Sequence, residues 1–173
     1  MKILGLPGSL REGSRNAQLL RLVKEVAGDG HDVEIGSLKG IPLYDGDVEA
    51  AGIPESVEAM ATAIRDADAL YVTTPEYNYG VPGVVKNWVD WISRVKPLPF
   101  AGKPVALAGA AAGMLGTAMA QRELRHTLTM LNADVLGPPL VLVAKAHEAL
   151  DEPSDMLRDL IGKQLAKLAE RVG

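Results

Sequence analysis

The stretch KILGLPGSLREGSRNAQLLRLVKEVA, Lys2–Ala27, decides how the rest of the chain is read. It opens with a short apolar run, Lys2–Leu6, and passes through a loop rich in glycine, serine and arginine. From about Asn16 to Ala27, Leu19, Leu20, Val23 and Val26 then recur at helical spacing. This is a strand, a turn and an amphipathic helix. The alternation continues along the chain. His31–Ile35 reads as a second strand, and Ser37–Gly52, with Gly40, Pro42 and Gly46, as a long surface connection before a helix over Pro54–Asp66. Ala69–Thr74 is a third strand stopped by Pro75, followed by a helix from Pro82 to Arg94. Lys103–Ala108 is a fourth strand and Met114–Leu131 a long helix. Ala133–Val143, interrupted by Gly137-Pro138-Pro139, is a broken fifth strand, and Glu152–Val172 a closing helix.

Strands that are apolar on both faces and alternate with helices belong in a parallel sheet covered on both sides. The expected architecture is therefore α/β, a doubly wound five-stranded parallel sheet of order 2-1-3-4-5 with helices on both faces. In such sheets ligands sit beyond the carboxyl ends of the strands, where the order reverses between strands one and three.

Composition narrows the function classes. A chain of 173 residues with 47% hydrophobic residues can bury one sizeable core, and a single domain over residues 1–173 is expected. Its net charge of -4, from 18 basic and 22 acidic residues, supplies no broad positive field for nucleic acid or anionic lipid. The absence of cysteine excludes disulfides, thiolate metal sites and a cysteine nucleophile. His31, His126 and His147 have no ligand spacing, so no metal site is expected. With no apolar run near membrane-span length, the expectation is a cytoplasmic protein acting on small molecules.

Three loops meet at the carboxyl edge of the expected sheet. The first, Gly8 to Asn16, offers helix N-terminal amides to a phosphate, with Ser9, Ser14 and Asn16 as neutral partners and Arg11 and Arg15 as cationic ones. It lacks both the Gly-Lys-Ser/Thr end of a triphosphate loop and the GxGxxG of a dinucleotide fold, so a monophosphate fits better. The plainer reading is a turn in which Ser14 or Asn16 caps the helix. The second loop, Thr73 to Gly83, holds Tyr77 and Tyr79 between prolines and glycines, in a chain that is only 4% aromatic. Such a loop suits a flat ring whose polar edge meets backbone and Asn78; an exposed tyrosine pair also serves as a subunit contact. The third, Gly109 to Thr117, is made of small residues that admit either a ring edge at Gly113 or tight helix packing. Trp88 and Trp91 have the spacing of core or subunit-interface residues.

Taken together, Gly8-Ser9-Leu10-Arg11 with Gly13-Ser14 and Asn16, and Pro75-Glu76-Tyr77-Asn78 with Gly80, Pro82, Lys86, Asn87, Asp90 and Trp91, resemble the NAD(P)H-dependent FMN reductases, a flavodoxin-like family that includes bacterial quinone, chromate and azo-dye reductases. The resemblance runs along nearly the whole chain. It implies that Ser9, Arg11, Ser14 and Asn16 hold the phosphate of FMN, and that Pro75, Glu76, Tyr77, Asn78 and Gly80 line the ring. It also implies NAD(P)H as co-substrate, a small-molecule electron acceptor, and a homodimer or homotetramer. The third loop departs from the family pattern, carrying Gly109 through Ala112 where a serine-bearing segment is usual. Two other readings are an FMN-carrying electron carrier of the flavodoxin type and a flavin-free dinucleotide-binding protein using Gly109, Gly113 and Gly116.

Overall fold

Burial decides where each strand sits. In the computed structural model, which describes residues 1–173, β3 (Ala69–Thr73) and β4 (Pro104–Ala110) are buried at every residue, and β1 (Lys2–Pro7) at all but its ends. These three form the centre of a parallel sheet. β2 (Asp32–Ile35), buried only at Val33, lies outside β1, and β5 (Asp134–Val135) lies outside β4, giving the order β2-β1-β3-β4-β5. β1 pairs with β2 on one side and β3 on the other, with Lys2 opposite Asp32 and Ile3 opposite Ala69. The order reverses at β1 and β3, as expected.

The broken fifth strand is two strands. β5 pairs with the start of β4, Asp134 opposite Pro104, and β6 (Val141–Val143) with its end, Leu142 opposite Gly109. Between them Pro138 and Pro139 have no N–H to give the ladder, so it stops and restarts. The sheet therefore has six strands where five were expected.

Alternate side chains of the central strands build a core on each face. Leu4, Leu6, Leu70, Val72, Val105 and Leu107 pack on one side with α3 (Glu55–Asp66), α4 (Gly83–Ile92) and α5 (Ala118–Met130). Ile3, Ala69, Tyr71, Ala106 and Ala108 pack on the other with α1 (Arg15–Ala27) and the closing helix α7 (Asp155–Val172). The two clusters hold 22 and 21 buried residues, so the sheet is covered evenly. Trp88 and Trp91 are fully buried in the first cluster, which settles them as core.

Several boundaries differ for local reasons. α5 begins at Ala118, four residues later than expected, because Gly116 and Thr117 have φ of 54° and 72° and cannot belong to a right-handed helix. α7 begins at Asp155, where the Ser154 hydroxyl caps it by accepting from the Leu157 amide. The Ser37–Gly52 connection contains a short helix, α2 (Gly46–Ala51), and is tied down. Asn87 Nδ2 and Trp91 Nε1 both donate to the Pro42 carbonyl at 2.8 Å, and the Tyr44 ring meets Trp91 edge-on at 5.0 Å. A further short helix, α6 (Ala146–Ala149), lies between β6 and α7. No helix is long and apolar enough to cross a membrane.

Candidate functional site

The ends of β1, β3 and β4 are adjacent, and backbone bonds keep the loops that follow them in contact. Gly8 N–H donates to Thr73 O at 2.7 Å, and Thr74 N–H to Ala108 O at 2.9 Å. Gly8 must be glycine for this approach, since a Cβ there would lie 2.6 Å from Val85 Cγ2. Asn16 supplies the third tie. Its amide group donates to Ala110 O at 2.9 Å and accepts from Ala110 N–H at 3.0 Å, while its own carbonyl accepts from Thr73 Oγ1 at 2.9 Å. The three loops enclose a cavity of about 480 Å³, a size usual for small-molecule sites.

Ser9, Arg11, Ser14, Arg15 and Asn16 line one part of this cavity, with Pro75, Glu76 and Tyr77 from the second loop and Ala110–Ala112 from the third. The polar atoms are not equally free. Ser14 Oγ caps α1, accepting from the Ala17 amide at 3.2 Å. The Asn16 side chain is used on Ala110, and Arg15 Nη1 is 2.5 Å from Asp151 and 2.8 Å from Gln18. Arg11 is exposed and makes no ion pair. Backbone N–H groups of Arg15 and Asn16, in the first turn of α1, have no acceptor within the chain. An unpaired guanidinium beside open helix N-terminal amides has the chemistry to hold an anion.

The second loop is a tight hairpin. Tyr77 and Gly80 exchange backbone hydrogen bonds at 3.2 and 3.0 Å, and the intervening Asn78 and Tyr79 have φ of 50° and 63°. Positive φ at both central residues is the geometry of a type I′ turn. Asparagine accepts it readily and tyrosine does not, so Tyr79 is held there by its surroundings. Glu123 helps, its Oε2 accepting from the Val81 amide at 3.0 Å. Tyr77 is 56% exposed with its side chain on the cavity, whereas Asn78, Tyr79 and Gly80 lie outside the lining. Tyr79 instead faces a neighbouring hollow with Met119, Arg122, Glu123 and His126.

Glu76 has a structural task besides lining the cavity. Thr117 begins α5 without a side-chain cap, and Glu76 Oε2 accepts from the amides of Met119 and Ala120 at 2.8 and 2.9 Å. A carboxylate at a helix N-terminus satisfies orphan donors and meets the helix dipole. Glu76→Ala is expected to cost about 1–2 kcal/mol in urea unfolding and Glu76→Gln less, since the amide oxygen still accepts. Equal losses for the two variants would show that the contact to α5 is not what Glu76 contributes.

In the third loop, Gly109 and Gly116 are small because of packing. A Cβ on Gly109 would fall 1.9 Å from Thr117 Oγ1, and one on Gly116 2.7 Å from the Leu142 backbone. Their conservation of space is explained without a dinucleotide. Gly113 is exposed and outside the cavity. One wall was not foreseen: Ala146 and His147, from the turn after β6, complete the lining. A lone histidine in a short turn carries no spacing signal that would have found it.

A model of the family described as NADPH-dependent FMN reductase matches residues 1–148. The chain belongs to this family. It is similar to an NAD(P)H-dependent FMN reductase of Pseudomonas aeruginosa, 45% identical over 172 residues that cover 97% of this chain and 93% of the relative. It is also similar to the quinone reductase of Escherichia coli K12, 43% identical over 141 residues, 80% of this chain and 75% of that one. Among solved structures, the flavoenzyme NAD(P)H:(acceptor) oxidoreductase FerB of Paracoccus denitrificans superposes with a TM-score of 0.87 at 27% identity, over 98% of both chains. Membership in the FMN reductase family makes this chain an oxidoreductase of the FMN- and NAD(P)H-dependent class. Its residues fit such a cofactor: one cavity brings together the free Arg11 guanidinium, the open amides at the start of α1, Pro75 and the exposed Tyr77.

Proposed function

We propose that this FMN reductase binds FMN in the cavity, phosphate toward Arg11 and the start of α1 and ring toward Pro75 and Tyr77, and reduces a small acceptor at the expense of NAD(P)H. The observation that carries this reading is the cavity in which a free guanidinium, open helix N-terminal amides and a tyrosine-bearing hairpin meet at the β1–β3 reversal. Arg11 supplies charge to the phosphate, and the first-turn amides of α1 supply hydrogen bonds. Amides of Glu76 and Asn78, which have no acceptor within the chain, are donors for the polar edge of the ring. FMN held by these residues would supply hydride transfer between the nicotinamide and the acceptor, in two half-reactions of a ping-pong cycle. The chain's part is to bind and orient both substrates in turn, and the exposed Tyr77 face leaves the ring side open for them. Quinones, flavins, azo compounds and metal oxyanions are the acceptor classes in view. A second copy covering the open ring side, in a homodimer or homotetramer, belongs to the same reading, as does a cytoplasmic setting.

Arg11→Ala is expected to weaken FMN binding by about 1–3 kcal/mol while leaving riboflavin, which lacks the phosphate, unchanged. Quenching of flavin fluorescence on binding measures both. Unchanged FMN affinity would move the phosphate elsewhere. Anaerobic addition of NADPH to the FMN-loaded protein, with no partner protein present, is expected to bleach the flavin absorbance. A flavin that stays oxidised would indicate a carrier reduced by another protein.

A further inference from the structure

We propose that His147 is a phosphate-binding residue of this cavity, carried by the turn between β6 and α7 as a fourth wall; the inference rests on the FMN reading above. The wall is fixed on both sides. Toward the third loop, Ala111 N–H donates to Val143 O and Ala146 N–H to Ala111 O, both at 3.0 Å. Toward α1, Gln18 Nε2 donates to Leu150 O at 2.7 Å and Arg15 is paired with Asp151. His147 therefore sits on α6, in a segment clamped between the third loop and α1.

Its position is at the phosphate end. Asp151, which pairs with Arg15 at the start of α1 at 2.5 Å, follows His147 by four residues, and Arg15 and His147 both line the cavity. Charge balance shows why a further group is needed. A phosphate monoester carries about -1.5 to -2 near neutral pH. Arg15 is already neutralised by Asp151, which leaves Arg11 as the free permanent cation among the lining residues. The third loop offers no side-chain donor, since Ala110, Ala111 and Ala112 occupy it. His147 lies next to this gap, since its neighbour Ala146 donates to Ala111 O.

The imidazole is free to exchange partners. Its contact in the structure is Glu148 Oε1, 3.3 Å from Nε2, and both side chains are more than half exposed. An exposed pair of that kind is worth little, so a phosphate would displace it at small cost. The acidic groups near His147 are Glu148 and Asp151, with Glu76 on the same cavity lining, and the basic ones are Arg15 and Arg11 of that lining.

The test compares FMN with riboflavin, titrated by fluorescence quenching against the wild-type chain and the His147→Ala, His147→Gln and Arg11→Ala variants. Thermal melts of the same samples report on folding. His147→Ala is expected to weaken FMN roughly fivefold to thirtyfold, to leave riboflavin within about twofold, and to melt with the wild type. His147→Gln, a neutral donor, should fall between. Unchanged FMN affinity in His147→Ala would overturn the assignment, and so would an equal loss for both flavins, which would mean that the turn shapes the ring end. The two readings fail separately. If the wild type binds riboflavin as tightly as FMN, the phosphate end itself is misplaced and His147 with it. If the wild type prefers FMN and only Arg11→Ala loses the preference, the role of His147 alone is wrong.

Discussion

Gly109→Ala is expected to lower stability by about 3 kcal/mol, which for a chain of this length is a fall of roughly 10 °C in melting temperature. The added Cβ would sit 1.9 Å from Thr117 Oγ1 and 2.4 Å from Thr74 O. Neither neighbour can withdraw. Thr74 is backbone fixed to β4 through Ala108, and Thr117 is fully buried, its hydroxyl accepting from Gln121 Nε2 at 3.1 Å. Thr117→Ala in the same chain would remove the shortest contact but leave those to Thr74 O at 2.4 Å and to the Cβ of residue 117 at 2.9 Å, so it should restore only part of the loss. Gly113→Ala is the control: a Cβ there meets nothing within 4 Å, and the change should stay within about 0.5 kcal/mol. A Gly109→Ala chain that melts like the wild type would show that β4 and the third loop are not packed as described.

Asn16→Ala should cost a similar amount for a different reason. It leaves the Ala110 N–H and carbonyl without their partner in a buried place, and each unsatisfied buried group costs about 1–3 kcal/mol. Asn16→Asp should rescue little. It keeps an acceptor for the Ala110 amide but sets a carboxylate oxygen against the Ala110 carbonyl. Because Asn16 ties the first loop to the end of β4, FMN affinity should drop in both variants. Urea unfolding and hydrogen exchange at the Ala110 amide measure the two parts. Full protection of that amide in Asn16→Ala would contradict the account.

These two residues also mark where sequence reading reaches its limit. β1, β3 and β4 were legible because central parallel strands are buried on both faces and read as unbroken apolar runs. β5 and β6 were harder: they are two and three residues long, and Leu142 in the middle of β6 is exposed. The first two loops announced themselves through glycines, serines and crowded tyrosines. What each polar side chain does was less visible. Asn16, Ser14 and Glu76 all belong to the expected ligand set, and each also has a structural partner, in Ala110, the Ala17 amide and the start of α5. A sequence shows that a polar group is present near a site, but whether its partner is ligand or backbone depends on contacts far along the chain. His147 is the converse case, since only the pairing of β6 with β4 brings its turn to the cavity.

A crystal structure of this chain grown with FMN would show whether one cavity holds the phosphate and the ring of the same molecule in a defined direction. Phosphate density is expected against Arg11 and the first-turn amides of α1, with the tricyclic ring against Pro75 and Tyr77. A cofactor bound with its ends exchanged, or bound outside the loops that follow β1, β3 and β4, would contradict this placement.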